Sequence, residues 1–296
     1  MEKVIMNSND SKSIDYTEQE LRERLSVSTT LIQDNGYQKP TPDKLSAIKE
    51  AGIDFIELLE LRDQFDFGNV QQMKEMHAMF SDAGIQVGAF HCYQTRLQWE
   101  TEEEHTQIVD RCKSQIDALV MMGGRVWGSH TFIEETTAKK GLEELLQYIE
   151  DKDVTLVVEN FNNDTQTPPE IVEFTSKLRN PQIGVLLDTG HCINPDGPQY
   201  MTIAGTAGQM IRDCGKHLRH LHLHDFRLDV DKTDGHRAPF DGDIRWIEIM
   251  RALKEIGYPG YFNFEPTPRS FEEIPDFLSK IGAFPEKLCK RAKAGP

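Results

Sequence analysis

The chain has no apolar run approaching the roughly 18 residues that cross a bilayer. Its first twenty residues, MEKVIMNSNDSKSIDYTEQE, are polar and acidic rather than an apolar secretory segment. Both absences lead us to expect a cytoplasmic protein with no membrane partner. Basic residues are also scarce: 33 Lys and Arg face 49 Asp and Glu, giving a formal net charge of −16 over 296 residues, with no Lys/Arg-rich run. Nucleic acid, whose phosphates must be neutralised by basic groups, is therefore not an expected partner. The five cysteines (Cys92, Cys112, Cys192, Cys214, Cys289) show no CxxC spacing. They read as free thiols of a reducing compartment, and they supply neither a disulfide framework nor a zinc–thiolate site. No G-x-G-x-x-G or G-x-x-x-x-G-K-[ST] loop follows any predicted strand, which removes the main nucleotide-binding readings.

What the chain does have is a repeated strand-then-helix rhythm. Residues 1–24 lack a strand pattern and are expected to form a mobile or peripheral polar extension. Strands are predicted at 25–32, 53–60, 85–91, 124–130, 154–160, 183–191, 218–226 and 261–266. Helices follow them, opening at Pro40, Thr41 and Pro42 in the first case and stopping at glycine in the first two, at Gly52 and Gly84. The next predicted helices cover 101–122, 141–150, 168–178, 202–216 and 245–256, with a last one at the C-terminus. Alternating units of this kind imply a parallel sheet, because a parallel strand needs a crossover to return. Eight of them predict a (β/α)8 TIM barrel as one catalytic domain over residues 25–296, whose site lies at the C-terminal ends of the strands.

That rule singles out the last inward residue of each strand. By alternation, Ile85, Val87, Ala89 and His91 share a face, as do Val126, Gly128 and His130. Carboxylates close three other sets: Thr155, Val157, Glu159; Gly184, Leu186, Asp188; and Tyr261, Asn263, Glu265. The stretch LRHLHLHDF at 218–226 puts His220, His222 and His224 on one face, and either His222 or His224 reaches the mouth. Carboxylates at the ends of apolar strands incur a large desolvation cost unless paired or bound to a cation. With few basic residues nearby, a bound ion explains them better than a structural polar network. Two Glu, one Asp and one His form a mainly oxygen donor set that suits one divalent ion, Mn, Mg or Co, with Zn allowed by the imidazole.

At these residues the chain resembles the xylose isomerase-like TIM barrels, the superfamily of sugar phosphate isomerases and epimerases that also holds the endonuclease IV nucleases. The motifs are VVEN (157–160), LLDTGH (186–191), HLHLHD (220–225) and FNFEP (262–266). The resemblance implies metal ligands at Glu159, Asp188, His222 and Glu265. It chooses His222 because the family's ligand histidine stands three residues before an aspartate, here Asp225, and so makes His224 a neighbour. It also likens DKTDGHRAPFDGDI (231–244) to a loop carrying an Asp-x-His pair, here Asp234 and His236.

The nuclease branch would use His91, His130, His191, Asp234 and His236 as further zinc ligands. The acidic charge, and LSVSTTLI where that branch has a Gly/His/Ser-rich strand, argue for the sugar branch instead. The expected activity is a metal-dependent isomerase or epimerase that acts on a sugar, sugar phosphate or keto-polyol through an enediolate, with Glu159 and Glu265 as the catalytic proton-transfer pair. His91, His130, His191, Arg227, Asp234 and His236 are the expected substrate-binding residues. A lyase or dehydratase acting on a keto-inositol, or one cleaving 3-keto-glycosides, is the alternative; a non-catalytic sugar-binding barrel is a further one. Relatives often dimerise, so a homodimer is allowed, although no interface signal is visible. Alternation turns Trp127 outward, to pack on a helix. Glu57 and Glu60 end the second strand, where Glu57 either reaches the mouth or forms a surface ion pair, and Phe65 and Phe67 wall the site or pack a βα loop.

Overall fold

A computed structural model describes residues 14–60, 66–133, 136–161, 166–193, 199–231 and 235–294. The elements run α1 (Glu18–Arg22), β1 (Leu25–Ser28), α2 (Pro42–Glu50), β2 (Phe55–Leu59), α3 (Val70–Asp82), β3 (Gln86–Cys92), α4 (Glu102–Met121), β4 (Val126–Ser129) and α5 (Thr136–Tyr148). They continue with β5 (Thr155–Glu159), α6 (Pro168–Lys177), β6 (Ile183–Asp188), α7 (Thr206–Cys214), β7 (Leu218–His222), α8 (Trp246–Glu255), β8 (Phe262–Phe264), α9 (Ile274–Gly282) and α10 (Phe284–Ala294). All neighbouring strands pair in parallel, in the order β7-β6-β5-β4-β3-β2-β1-β8. The seam between β7 and β8 is closed just past β7: Leu223 bridges Phe264, its N–H donates to Asn263 O (2.8 Å), and Glu265 N–H donates to its carbonyl (3.0 Å). The (β/α)8 barrel expected from the rhythm is the fold.

The local chemistry explains the elements. Helices cover the outer face of the sheet while the inner face lines the barrel, so the strands read as continuous apolar runs, and β6 is buried at every position. At the start of α4, Thr101 and Glu104 form a reciprocal capping box. Pro42 supplies the first residue of α2, where a missing N–H costs nothing. Gly84 leaves α3 at φ +67°, a left-handed conformation that a side chain would strain.

Several expectations are corrected. Of the segment read as an extension, residues 1–13 lie outside the described residues, but the rest is docked on the barrel. Ile14, Tyr16 and Leu21 are buried in the core, Tyr16 meets Phe262 edge-on at 5.5 Å, and a capping box at Thr17 starts α1. The first strand stops at Ser28 and turns into a 3-10 helix at Thr29–Leu31, because the Ser28 side chain caps Thr30 N–H. Of the 218–226 stretch only Leu218–His222 form β7; Leu223 turns to pair with β8, and the rest does not continue as one strand. Trp127 faces outward as expected, fully buried, with its indole N–H on Gln115 of α4 (3.1 Å).

Candidate metal centre

The strand ends converge as the alternation requires. Glu159 and Asp188 are the last residues of β5 and β6, His222 is the last of β7, and Glu265 follows β8 by one residue. All four are buried. His222 Nδ1 lies 3.4 Å from Glu159 Oε1, 3.8 Å from Asp188 Oδ2 and 3.2 Å from Glu265 Oε2. Donors around one ion with bonds of about 2.1 Å stand about 3 Å apart at right angles, so the separations from His222 suit a shared cation. Among the described residues the clusters whose ligand atoms all lie within 4.8 Å of one another bring the four together in parts, Glu159 with Asp188 and His191, and Glu265 with His222, His91 and Glu57.

Hydrogen bonding shows which atoms are left for it. Asp188 Oδ1 accepts the N–H groups of Gly190 (2.7 Å) and His191 (2.8 Å), and lies 3.0 Å from His224 Nε2. Both oxygens of Glu159, Nδ1 of His222 and Nδ1 of His91 are buried and have no hydrogen-bond partner. Among the described residues every ion-pair partner of Glu57, Glu159, Asp188 and Glu265 is an imidazole. Buried carboxylate oxygens lacking donors are costly, and a divalent ion is the group that would satisfy them. The residues therefore fit the implied metal.

The electrostatics agree. Burial opposes charge on His222, yet Glu265, Glu57 and Glu159 outweigh it and hold the imidazole well above its ordinary range. Burial likewise pushes Glu159 and Glu265 up, but the imidazoles around them, including His222 and His91 in both cases, hold both well below the usual carboxylate range. His91 is pushed up to about 9, burial being outweighed chiefly by Glu159. Without a metal, protons on these imidazoles supply the positive charge that the carboxylates demand.

The other expected residues fall around this centre. His91 spans the two glutamates, with Nε2 3.2 Å from Glu159 Oε2 and Nδ1 3.2 Å from Glu265 Oε1. His130 Nε2 is 3.0 Å from Glu159 Oε2. His191 Nδ1 lies 3.2 Å from Glu159 Oε1 and 3.1 Å from the Asn160 carbonyl. His236, held at φ +38°, stacks on His224 at 4.2 Å, and its Nδ1 lies 2.7 Å from the Glu265 carbonyl. His224 supports the centre from behind: Nε2 is on Asp188, Nδ1 accepts His236 N–H (2.9 Å), and a Cβ at Gly190 would sit 1.9 Å from its ring. Asp234 and Phe65 lie outside the described residues. Arg227 is paired with Asp229 (2.7 Å), its side chain 43% exposed.

Glu57 and Glu60 depart from the surface reading. Glu57 points into the barrel beneath His222, and Glu60 is fully buried on the helix side, paired with Arg111 of α4. Phe67 packs against Phe90 (5.3 Å) and so fills the βα loop. The rim aromatics that sequence reasoning missed are Tyr93, 5.9 Å from His91, and Phe161, 4.4 Å from His130. Each stands two residues after an inward strand-end residue, Tyr93 after His91 and Phe161 after Glu159, a signal the sequence carried. The amide of Asn160, the last residue of VVEN, clasps the Asp188 backbone, accepting N–H (2.7 Å) and donating to the carbonyl (3.0 Å).

Residues 45–281 match the model of the family described as xylose isomerase-like TIM barrel. Among known proteins, an uncharacterized protein of Methanocaldococcus jannaschii is 24% identical over 80% of this chain and 78% of its own. A D-psicose 3-epimerase of Enterocloster bolteae is 29% identical over 45% of this chain and 40% of its own. Among solved structures, a D-psicose 3-epimerase studied with D-fructose superimposes with TM-score 0.70 at 16% identity, covering 90% of this chain and 100% of that one. A xylose isomerase-like TIM barrel protein of Mycobacterium smegmatis in complex with magnesium gives TM-score 0.70 at 14% identity, covering 94% and 99%.

Proposed function

The chain belongs to the xylose isomerase-like TIM barrel family, and from that premise we propose that it is a divalent-metal-dependent isomerase or epimerase of a sugar or other keto-polyol. The observation that carries this reading is the placement of Glu159 and Glu265 on the two nitrogens of one imidazole, His91, each also within 3.4 Å of His222 Nδ1. Two buried, ionised carboxylates from β5 and β8 thus face one small volume. The epimerases among its sequence and structural relatives point to the same chemistry.

Glu159, Asp188, His222 and Glu265 would hold the ion, which supplies Lewis acidity to neighbouring carbonyl and hydroxyl oxygens and acidifies the C–H between them. Glu159 takes that proton, leaving the enediolate form of the substrate, and Glu265, once it has taken a proton from solvent or from His91 Nδ1 3.2 Å away, returns a proton on the same or the opposite face. His191 and His130 hydrogen-bond substrate hydroxyls beside Glu159, while His236 closes the mouth on the β8 side. Tyr93 and Phe161 offer apolar faces to sugar C–H groups and exclude water. Lined by imidazoles and carboxylates, with a chain charge of −16, the site favours a small carbohydrate over a polyanionic nucleic acid.

The test is exchange of substrate C–H with deuterated solvent across ketohexoses and ketopentoses, with Mn2+, Mg2+, Co2+ or Zn2+ added. One deuterium should enter at the carbon whose configuration or carbonyl position changes. Absence of exchange from every sugar, in protein shown to hold an ion, would sink the proposal, whereas loss of water from the substrate would reassign the enzyme to dehydration.

A further inference from the structure

Below the candidate centre lies a buried carboxylate that the proposed chemistry does not use. Glu57, on β2, reaches across the barrel to β7, where its Oε2 is 2.7 Å from His220 Nε2 and 3.1 Å from His222 Nε2. Its other oxygen accepts from Asn263 Nδ2 (3.2 Å). The Asn263 amide is oriented in turn by Ser26, whose hydroxyl donates to Oδ1 (2.9 Å) and so leaves the NH2 group facing Glu57. From this arrangement we infer that Glu57 is the positioning residue that sets the tautomer and ring direction of His222, and through it the affinity of the centre for a divalent ion.

The argument is one of donors and acceptors. An ionised carboxylate only accepts, so both imidazoles beside Glu57 present N–H at Nε2. In neutral His222 the lone pair must then lie on Nδ1, the nitrogen within 3.8 Å of all three carboxylates of the centre. Among three carboxylates that position is filled by a proton in metal-free protein and by the ion when one binds. Glu57 therefore forces upon His222 the one protonation pattern that can ligate a metal, the arrangement by which carboxylates behind metal-binding histidines raise affinity. Glu57 also falls into a group with His91, His222 and Glu265 that is tight enough to hold an ion. Its oxygens, however, are already taken by three donors, whereas the imidazoles 3.0–3.2 Å from those of Glu159 are not aligned to hydrogen-bond them. It is the support of a ligand and not a ligand.

This inference rests on the metal reading of the centre, and the experiment separates the two. Ion affinity is measured by calorimetry with Mn2+, and the imidazoles of the Zn2+-loaded protein are followed by 1H–15N NMR. Unaltered protein should show a proton on His222 Nε2 with Nδ1 shifted by the metal. E57Q, which loses the charge facing both rings and turns an NH2 group either toward them or toward the Asn263 NH2, should lose about 10- to 100-fold in Mn2+ affinity and lose that Nε2–H signature. E60Q, three residues along and outside the centre, should bind Mn2+ within about two-fold of the unaltered protein. If E57Q does not fold, E57D, which keeps the charge but retracts it from both rings, should show the same loss. Unchanged affinity in a folded Glu57 variant, or coordination through His222 Nε2, overturns the inference alone; failure of the unaltered protein to bind any ion overturns the metal reading and the inference together.

Discussion

Glu60 and Glu159 are both fully buried carboxylates at the C-terminal ends of barrel strands, and their surroundings could hardly differ more. Glu60 faces the helices and is saturated: Arg111 donates through Nε (3.1 Å), and Gln115 Nε2 (2.9 Å), Thr95 Oγ1 (2.9 Å) and Gln94 N–H (3.0 Å) join it. Glu159 faces the barrel axis, 3.0 Å from His130, 3.2 Å from His91 and 3.2 Å from His191, with no hydrogen bond to either oxygen. A carboxylate that ties a loop to a helix is surrounded by fixed donors. One that holds a ligand keeps its lone pairs aimed at the space the ligand enters, among groups that tolerate either a proton or a metal.

The contrast breaks first at Glu159. E159Q keeps the shape but neither takes a proton nor ligates strongly, so solvent exchange into substrate should fall by about 10³-fold or more, while E60Q should leave exchange within a few-fold. Equal loss in both variants would erase the distinction. His222→Ala should cost about 100-fold or more in Mn2+ affinity by calorimetry, and His224→Ala much less. The reverse ranking would make His224 the ligand and His222 its support.

Stability should rank the other way. E60Q leaves Arg111 facing an amide, at a cost of about 2 kcal/mol in urea unfolding, since hydrogen bonds to charged groups are worth about 1.5–3 kcal/mol and Arg111 is partly solvated. E159Q removes the carboxylate that helps hold His91 charged, so in metal-free protein at pH 9 and above, where that imidazole discharges, it should cost less than E60Q, and a larger loss there would show that Glu159 carries the fold.

The pH dependence sharpens the same point. His91 is raised to about 9, and a raised imidazole stabilises the folded state fully below its unfolded value near 6.5 and loses that contribution as pH climbs through about 9. His222, also raised, acts in the same direction. Metal-free protein should therefore lose thermal stability from pH 6.5 to 9 and beyond. Ion-loaded protein should lose less, because the metal replaces the protons, so the gap between the two melting curves widens with pH. A constant gap would mean that ion and protons do not compete for one site. The smallest effect is expected at Arg227, whose exposed pair with Asp229 is worth under about 1 kcal/mol. R227A should leave stability nearly unchanged, and a KM rise above about five-fold would identify the guanidinium as a substrate contact.

Much of this was readable beforehand. Glycine stops such as Gly84, alternation within strands and the absence of nucleotide loops led to eight βα units, and the rule that barrel sites lie at strand C-termini led to Glu159, Asp188 and Glu265. Less readable were contacts between residues distant in the chain. Ile14 and Tyr16 looked like part of a polar tail because their partner, Phe262, lies at the other end of the sequence. Glu57 and Glu60 were both open to a surface ion-pair reading because the partners that bury them, His220 and His222 of β7 and Arg111 of α4, lie far away in the chain.

The three histidines of 218–226 show where the division falls. Sequence alone determined that they share one face, since the side-chain period of a strand is two and needs no partner. It could not determine which of them meets the carboxylates. That depends on β7 ending at His222, on Leu223 crossing to β8, and on Asp188 pairing in register with His222, so that His220 sits low beside Glu57 and His224 turns behind Asp188. Registers between strands are set by closing the barrel, a condition on all eight strands at once, and only the tertiary structure satisfies it.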